Sequence, residues 1–500
     1  MTLRGCAGLA TVVAAGLTAV LVAGFAAGAA WAQDVASAKR AEASPERIAE
    51  ALRQGNRPDA LDYYRALVNK TNQLHLPSLR RICESVIREG LGNASPEVRL
   101  QASRALKHDV DADTVPLVLE VVKERKVPED FLIEEPFLPV RTEGLLPAAV
   151  KALSDEDHMV RIWAVHALAK IGGPEAAEPL TKALDDPFPW VRVQAVLGLG
   201  QLEARLVPRQ QLRALIDDPS PPVALGAAAV LYAVGEQDMK ARLQEMLSGP
   251  DPHLVQQFAL TAELLKSPAL NEFLPGLLTH KDPMVRAEAV QAVGQLKVPG
   301  TAPALMALLS DSDLGVRAAA AQALGELGEA QAVGELERLA VTGAGQLKVA
   351  AVAALGKFGS TAVLAPLRRA LSDTDPTVRL AAAQALGSIP GEEVITVLQA
   401  VYTNKDEVVV VRALAAASAA RLGDSRAVVQ LNTDAQSQDN YVKVWAAWGL
   451  GEVGTRAQLF TLVNLLVDPD EMVRPVSAGA VLKLSNRLEK EETARAPGSS

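Results

Sequence analysis

A Val-Arg dipeptide returns about every 31 residues, and no other feature constrains this chain's fold as tightly. Aligned on the Arg, twelve copies fall at Arg99, Arg161, Arg192, Ala224, Gln256, Arg286, Arg317, Lys348, Arg379, Arg412, Lys443 and Arg474. The interval from Arg99 to Arg161 spans two periods, with one degraded copy between. The residue before the Arg is Val in every copy but one, where it is Leu347. Three after it stands Ala in all copies except the last, which has Ser477. Apolar residues at −1, +3, +6, +7 and +10 draw one helical stripe. A stripe of Ala and Gly lets a neighbouring helix axis come close, where larger side chains would hold it off.

Each copy begins at an Asp-rich turn, often with Pro, as in DDPFPW, DDPSPP, DTDPT and DPDEM. Asp offers an oxygen to the free N–H groups of a helix start, and Pro suits the first helical turn. Leu-rich segments such as TAPALMALLS (301–310) and RAQLFTLVNLLVD (456–468) lie between copies. The unit therefore predicts helix, Asp/Pro turn, Val-Arg helix, Gly turn. A fixed period in this range is the mark of stacked supersecondary units, each contacting only its neighbours.

The pattern resembles HEAT repeats, most closely the short phycobilisome-lyase-type HEAT-like repeat, over roughly residues 77–484. The expected fold is all-α, a right-handed α-solenoid of stacked helix pairs. The resemblance implies that the Val-Arg helices line the concave side. It also implies a structural Asp/Arg ladder containing Arg192, Arg286, Arg317, Arg379, Arg412 and Arg474. A basic stripe for an anionic partner is the rival reading, disfavoured because acids accompany the Arg column and two copies lack a base there. Fold alone does not give activity.

Residues 1–32 read as a secretory signal: Arg4, an Ala/Gly/Val-rich apolar run, then Ala30-Trp31-Ala32 as a small-x-small cleavage site. An uncleaved anchor is the alternative, since the apolar run is long enough to span a bilayer. The expected location is the periplasm or cell envelope of a bacterium. After cleavage only Cys83 remains, so the exported chain would form no internal disulfide. Residues 33–44 read as a linker, 45–91 as an N-terminal helical cap, 92–484 as the array and 485–500 as a polar, frayed tail. The net charge of −9 and 4% aromatic content argue against nucleic acid as a partner.

The array breaks at 127–143, VPEDFLIEEPFLPVRTE, where Pro128, Pro136 and Pro139 forbid a regular helix. Phe131 and Phe137 among acids make this a candidate docking arm, or else a degraded repeat whose rings patch a gap. Chemistry is hard to find. The six His form no metal-binding motif, and no nucleophile elbow or phosphate loop occurs. Deoxyhypusine hydroxylase, an enzyme of HEAT-like fold, binds iron through His-Glu dipeptides, and this sequence has none. No metal, cofactor or catalytic residue is expected.

Positions two and five after the Arg lie outside the Ala stripe. Mid-array they are bland, but Trp163 pairs with His166 and Trp445 with Trp448, each three apart on a helix. Trp is a preferred interface anchor; alternatively these rings fill gaps between helices. The reading is an exported, non-catalytic scaffold or adaptor binding a protein or peptide on its concave surface. The candidate contacts are Trp163, His166, Trp445, Trp448, Phe131 and Phe137. The alternative is an enzyme or enzyme subunit, lyase-like or hydroxylase-like, with a small-molecule site near 127–143.

Overall fold

The computed structural model describes residues 42–71, 73–126, 141–249 and 251–495. The expected signal at 1–32 lies outside the described residues, as do Phe131 and Phe137. Among the described residues, all regular structure is α-helix or short 3-10 turn, with no strand. The chain divides into two compact units, Met1–Val86 and Ile87–Ser500.

The described part of the first unit holds the helices Pro45–Arg53 and Arg57–Thr71 and most of Leu76–Leu91. Ser44 caps the first helix, its Oγ accepting from the Arg47 N–H at 3.3 Å. Arg57 Nε donates to Ser85 Oγ at 3.2 Å, tying the second helix to the third. Ile48, Leu61, Tyr64, Ile82 and Cys83 are fully buried.

The second unit is built on the Val-Arg helices: α1 (Pro96–Leu106), α2 (His158–Ile171), α3 (Pro189–Gly200), α4 (Pro221–Ala233), α5 (Pro252–Leu265) and α6 (Pro283–Gln295). Then come α7 (Leu314–Leu327), α8 (Gly345–Lys357), α9 (Pro376–Leu386), α10 (Val409–Arg421), α11 (Asn440–Val453) and α12 (Val473–Arg495). The turn Asp residues cap as their spacing requires: Asp157, Asp251, Asp282, Asp375 and Asp439 each accept the N–H two residues on. The Val before the Arg is buried in most copies, as at Val160, Val191, Val285 and Val316, while Val442 is only partly buried.

From α2 to α12 each Val-Arg helix packs on the next, and the Leu-rich helices pack chiefly against this layer. The small residues set its spacing. A Cβ added to Gly294, Gly325 or Gly451 would stand 2.7, 2.7 or 2.9 Å from the Cα of Ala323, Ala354 or Ala480, respectively. Each of these glycines stands eight after its Arg and meets the Ala six after the next Arg. Only a missing Cβ permits that approach.

The Arg column joins neighbours. Arg286 Nη1 donates to the His280 and Lys281 carbonyls of its own turn, at 2.7 and 3.1 Å. Its Nε and Nη2 fork onto Asp311 of the next turn at 2.9 and 2.7 Å. Arg192 forks likewise onto Asp218, and Arg379 onto Glu407. Arg412 reaches Asp434 at 3.8 Å, while among the described residues Arg317 binds only the carbonyls of its own turn.

The array closes on itself. α12 packs against α1 as well as α11. A Cβ on Gly479 would lie 3.2 Å from the Cα and Cβ of Ala105, a small-on-small contact like those inside the array. Arg474 Nη2 reaches Glu89 at 2.8 Å, so the ladder continues across the seam. Asn93 pairs with Glu471 at 2.9 Å and Arg141 with Glu489 at 2.7 Å. Between α1 and α2, the helix Val115–Lys123 packs on α2, and Arg125 forks onto Asp157 at 3.0 and 3.1 Å.

Closure corrects the expected tail. Helix α12 runs on to Arg495 where a frayed segment was expected from residue 485. Ser485 is buried, and Asn486 and Glu489 bind the α1 end of the array. These polar residues are ordered by partners that lie hundreds of positions away.

Candidate functional site

The closure seam forms a trough of about 440 Å³. Its middle helix is α12, where Pro475, Val476 and Gly479 keep the floor low. One wall is α11, with Trp445 and Trp448, and the other is α1, with Gln101 and Arg104. His108, Lys107, Lys483 and Glu452 also line it. Helix period explains the grouping: residues two, five and nine after each Arg share a face.

Trp445 and Trp448 meet edge to face, their ring centroids 5.9 Å apart at 72°. Tyr441 continues the series at 6.3 Å and 77° from Trp445. Such tilted packing fixes large apolar surfaces at low entropic cost. The Trp445 Nε1–H is buried without a hydrogen-bond partner. Lys483 pairs with Glu452, whose backbone carbonyl also accepts from Arg487. Burial pushes the His108 imidazole below its usual range, and the nearby charges of Lys483 and Lys107 push it further down.

The other sequence candidates lie elsewhere. Trp163 is only 3% exposed and packs in the core, which removes it as a partner contact. His166 Nε2 donates to Gln194 Oε1 at 2.9 Å, joining α2 to α3. His158 stacks on Phe188 at 4.1 Å. None of these lines the trough. Among the described residues no group of His, Cys, Asp and Glu could hold a metal ion. No described helix is long and apolar enough to cross a membrane.

A second cavity of about 640 Å³ runs along α6 to α9, floored by Ala and edged by Gln291, Gln322 and Gln384. Burial raises the Glu288 carboxyl there. Its lining offers little apolar anchorage beyond methyl groups.

Arg104, His108 and Lys483 escaped the sequence reading because their grouping needs the two ends of the array to meet. One signal was present. The first half of the last Val-Arg helix is apolar on several sides, burying Val481, Leu482 and Leu484. A free solenoid end presents a polar outer face.

A family model for HEAT repeats matches residues 140–187, 177–262, 270–347 and 342–420, more than half of the chain. The chain belongs to the HEAT-repeat family. Comparison with curated proteins finds no significant match. Among solved structures, human deoxyhypusine hydroxylase in complex with glycerol is 18% identical, covering 62% of this chain and 96% of that one, with a TM-score of 0.24. The karyopherin Kap121p bound to the extreme C-terminus of the protein phosphatase Cdc14p is 14% identical, covering 86% of this chain and 55% of that one, with a TM-score of 0.36. A Kap121p mutant gives 15%, 82%, 54% and 0.37 in the same order. The chain thus spans about half the length of Kap121p.

Proposed function

We propose that this HEAT-repeat chain is an exported, non-catalytic adaptor that holds a polypeptide segment in the seam trough, on the concave Val-Arg side. The observation that carries the reading is the Trp445–Trp448 pair, packed edge to face along a cavity that also presents charged groups. Buried aromatic anchors with a polar rim are the anatomy of protein recognition. Export to the envelope of a bacterium rests on Arg4, the apolar run and Ala30-Trp31-Ala32. The period of about 31 residues supports placement in the short, phycobilisome-lyase-type branch of the family.

A photo-crosslinking residue placed at position 448, in the full chain in its own cells, tests this. A matched probe goes at Val429, 65% exposed on the helix Ser425–Asp434. One polypeptide captured from position 448 and absent from 429, in the envelope fraction, is the expected result. Equal capture from both positions rejects the adaptor, and recovery in the cytosol rejects export.

A further inference from the structure

We infer that the trough takes an acidic peptide, two to three residues of extended chain carrying a carboxylate beside an apolar side chain. This rests on the adaptor reading and names its ligand.

Charge comes first. The whole chain is net −9. The trough runs against that background, with Arg104, Lys107 and Lys483 facing the single acid Glu452. Glu452 is already engaged by Lys483. Arg104 is exposed and makes no ion pair among the described residues. Burial is the chief cause of the depressed His108 imidazole, and beyond it the charges of Lys483 and Lys107 outweigh that of Glu452. A local excess of one sign in a walled cleft concentrates ligands of the other.

The apolar part of the ligand follows from the wall opposite Arg104. Val444, Trp445 and Trp448 face Pro475 and Val476, so a side chain entering there leaves water on both sides. An Arg fork and an aromatic wall facing each other across one floor suit a carboxylate and a neighbouring apolar group together.

Length favours extended chain. From Val476 to Lys483 the floor helix advances roughly 10 Å at about 1.5 Å per residue. An extended strand covers that distance in about three residues. Lys107 and Lys483 stand towards one end of the trough and Trp445 towards the other, with Arg104 and Trp448 facing each other between them.

The test uses fluorescein-labelled, end-blocked peptides Gly-Phe-Glu-Leu-Gly, its isostere with Gln for Glu, and a version with Lys, titrated into the full chain by anisotropy. The Glu peptide should bind about tenfold tighter than the Gln peptide, and Arg104→Gln should remove most of that difference. The imidazole signals of His108, assigned with His108→Gln, should titrate at higher pH when the Glu peptide is bound, because a bound anion favours the charged ring. Equal binding of the Glu and Gln peptides, both lost in Trp448→Ala, would overturn the acidic preference and leave the adaptor reading standing. Tighter binding of the Lys peptide would also overturn it. No binding by any peptide would remove both.

Discussion

Asn486 donates from Nδ2 to the backbone carbonyl of His108 at 2.6 Å, joining residues 378 positions apart in sequence. The bond satisfies a carbonyl beyond the end of α1 with a side chain from the last helix. It places the seam under the same hydrogen-bonding demands as any internal repeat contact.

Gly479→Leu should open the seam. Its side chain would meet the Ala105 backbone, which has no flexible end to yield. A stability loss of about 2–3 kcal/mol is expected, at the upper end for overpacking, with an increased radius of gyration by small-angle scattering. Gly334→Ala, where an added Cβ meets nothing within 4 Å, is the control and should leave both unchanged or raise stability slightly. A closed, stable Gly479→Leu protein would show that the contact is not needed for closure.

The Arg column should divide by partner. Arg286→Ala strands Asp311, whose side chain is 8% exposed and whose carboxyl the Arg286 hydrogen bonds hold below its usual range. The cost expected is about 3 kcal/mol. Arg317→Ala removes two bonds to its own turn and no ion pair, and should cost about 1–2 kcal/mol. Urea midpoints of the two variants compare them directly. Equal losses would mean that the turn bonds, and not the inter-repeat fork, supply the stability.

The tryptophans should separate in the same way. Trp163→Ala empties core volume and should cost about 3–5 kcal/mol. Trp445→Phe removes an unpaired buried N–H along with some apolar area. Loss of that penalty offsets loss of the area, so the change should lie within about 1 kcal/mol. Thermal unfolding of both variants decides it; a Trp445→Phe protein as damaged as Trp163→Ala would place Trp445 in the core.

Stability should fall on mild acidification. Burial holds His108 and His166 below the usual value of 6.5, aided at His108 by Lys483 and Lys107 and opposed at His166 by the Gln194 bond. The unfolded chain therefore takes up protons first as pH drops below that value. The stability from neutral imidazoles is present above it and lost as pH falls through the folded values. Melting temperatures measured between pH 7 and 5 should decline, and the double variant His108→Gln, His166→Gln should flatten the slope. The same slope in both proteins would assign the effect to other groups.

How much of this was legible depends on distance along the chain. The Asp caps, the Val-Arg stripe and the small-residue column could be read directly, because a helix places positions a few residues apart on one face. Arg286 and Asp311 could be read as a ladder because several copies repeat their spacing, as Arg161 with Asp186 and Lys443 with Asp468. Trp445 and Trp448 stood out as an unusual pair, but Trp163 looked the same in sequence and proved to be core. One-dimensional spacing gives the face of a helix, and only packing tells whether that face is covered.

The sequence by itself determined the helical repeat and its spacing, since these follow from local contacts between adjacent copies. Tertiary structure decided that the ends meet. Gly and Ala let the Val-Arg helices approach closely, and in a stack of repeats a small rotation per repeat accumulates along the array. No single copy encodes that sum. It brings Arg104 opposite Trp448, and with them a trough that exists only where first helix and last are neighbours.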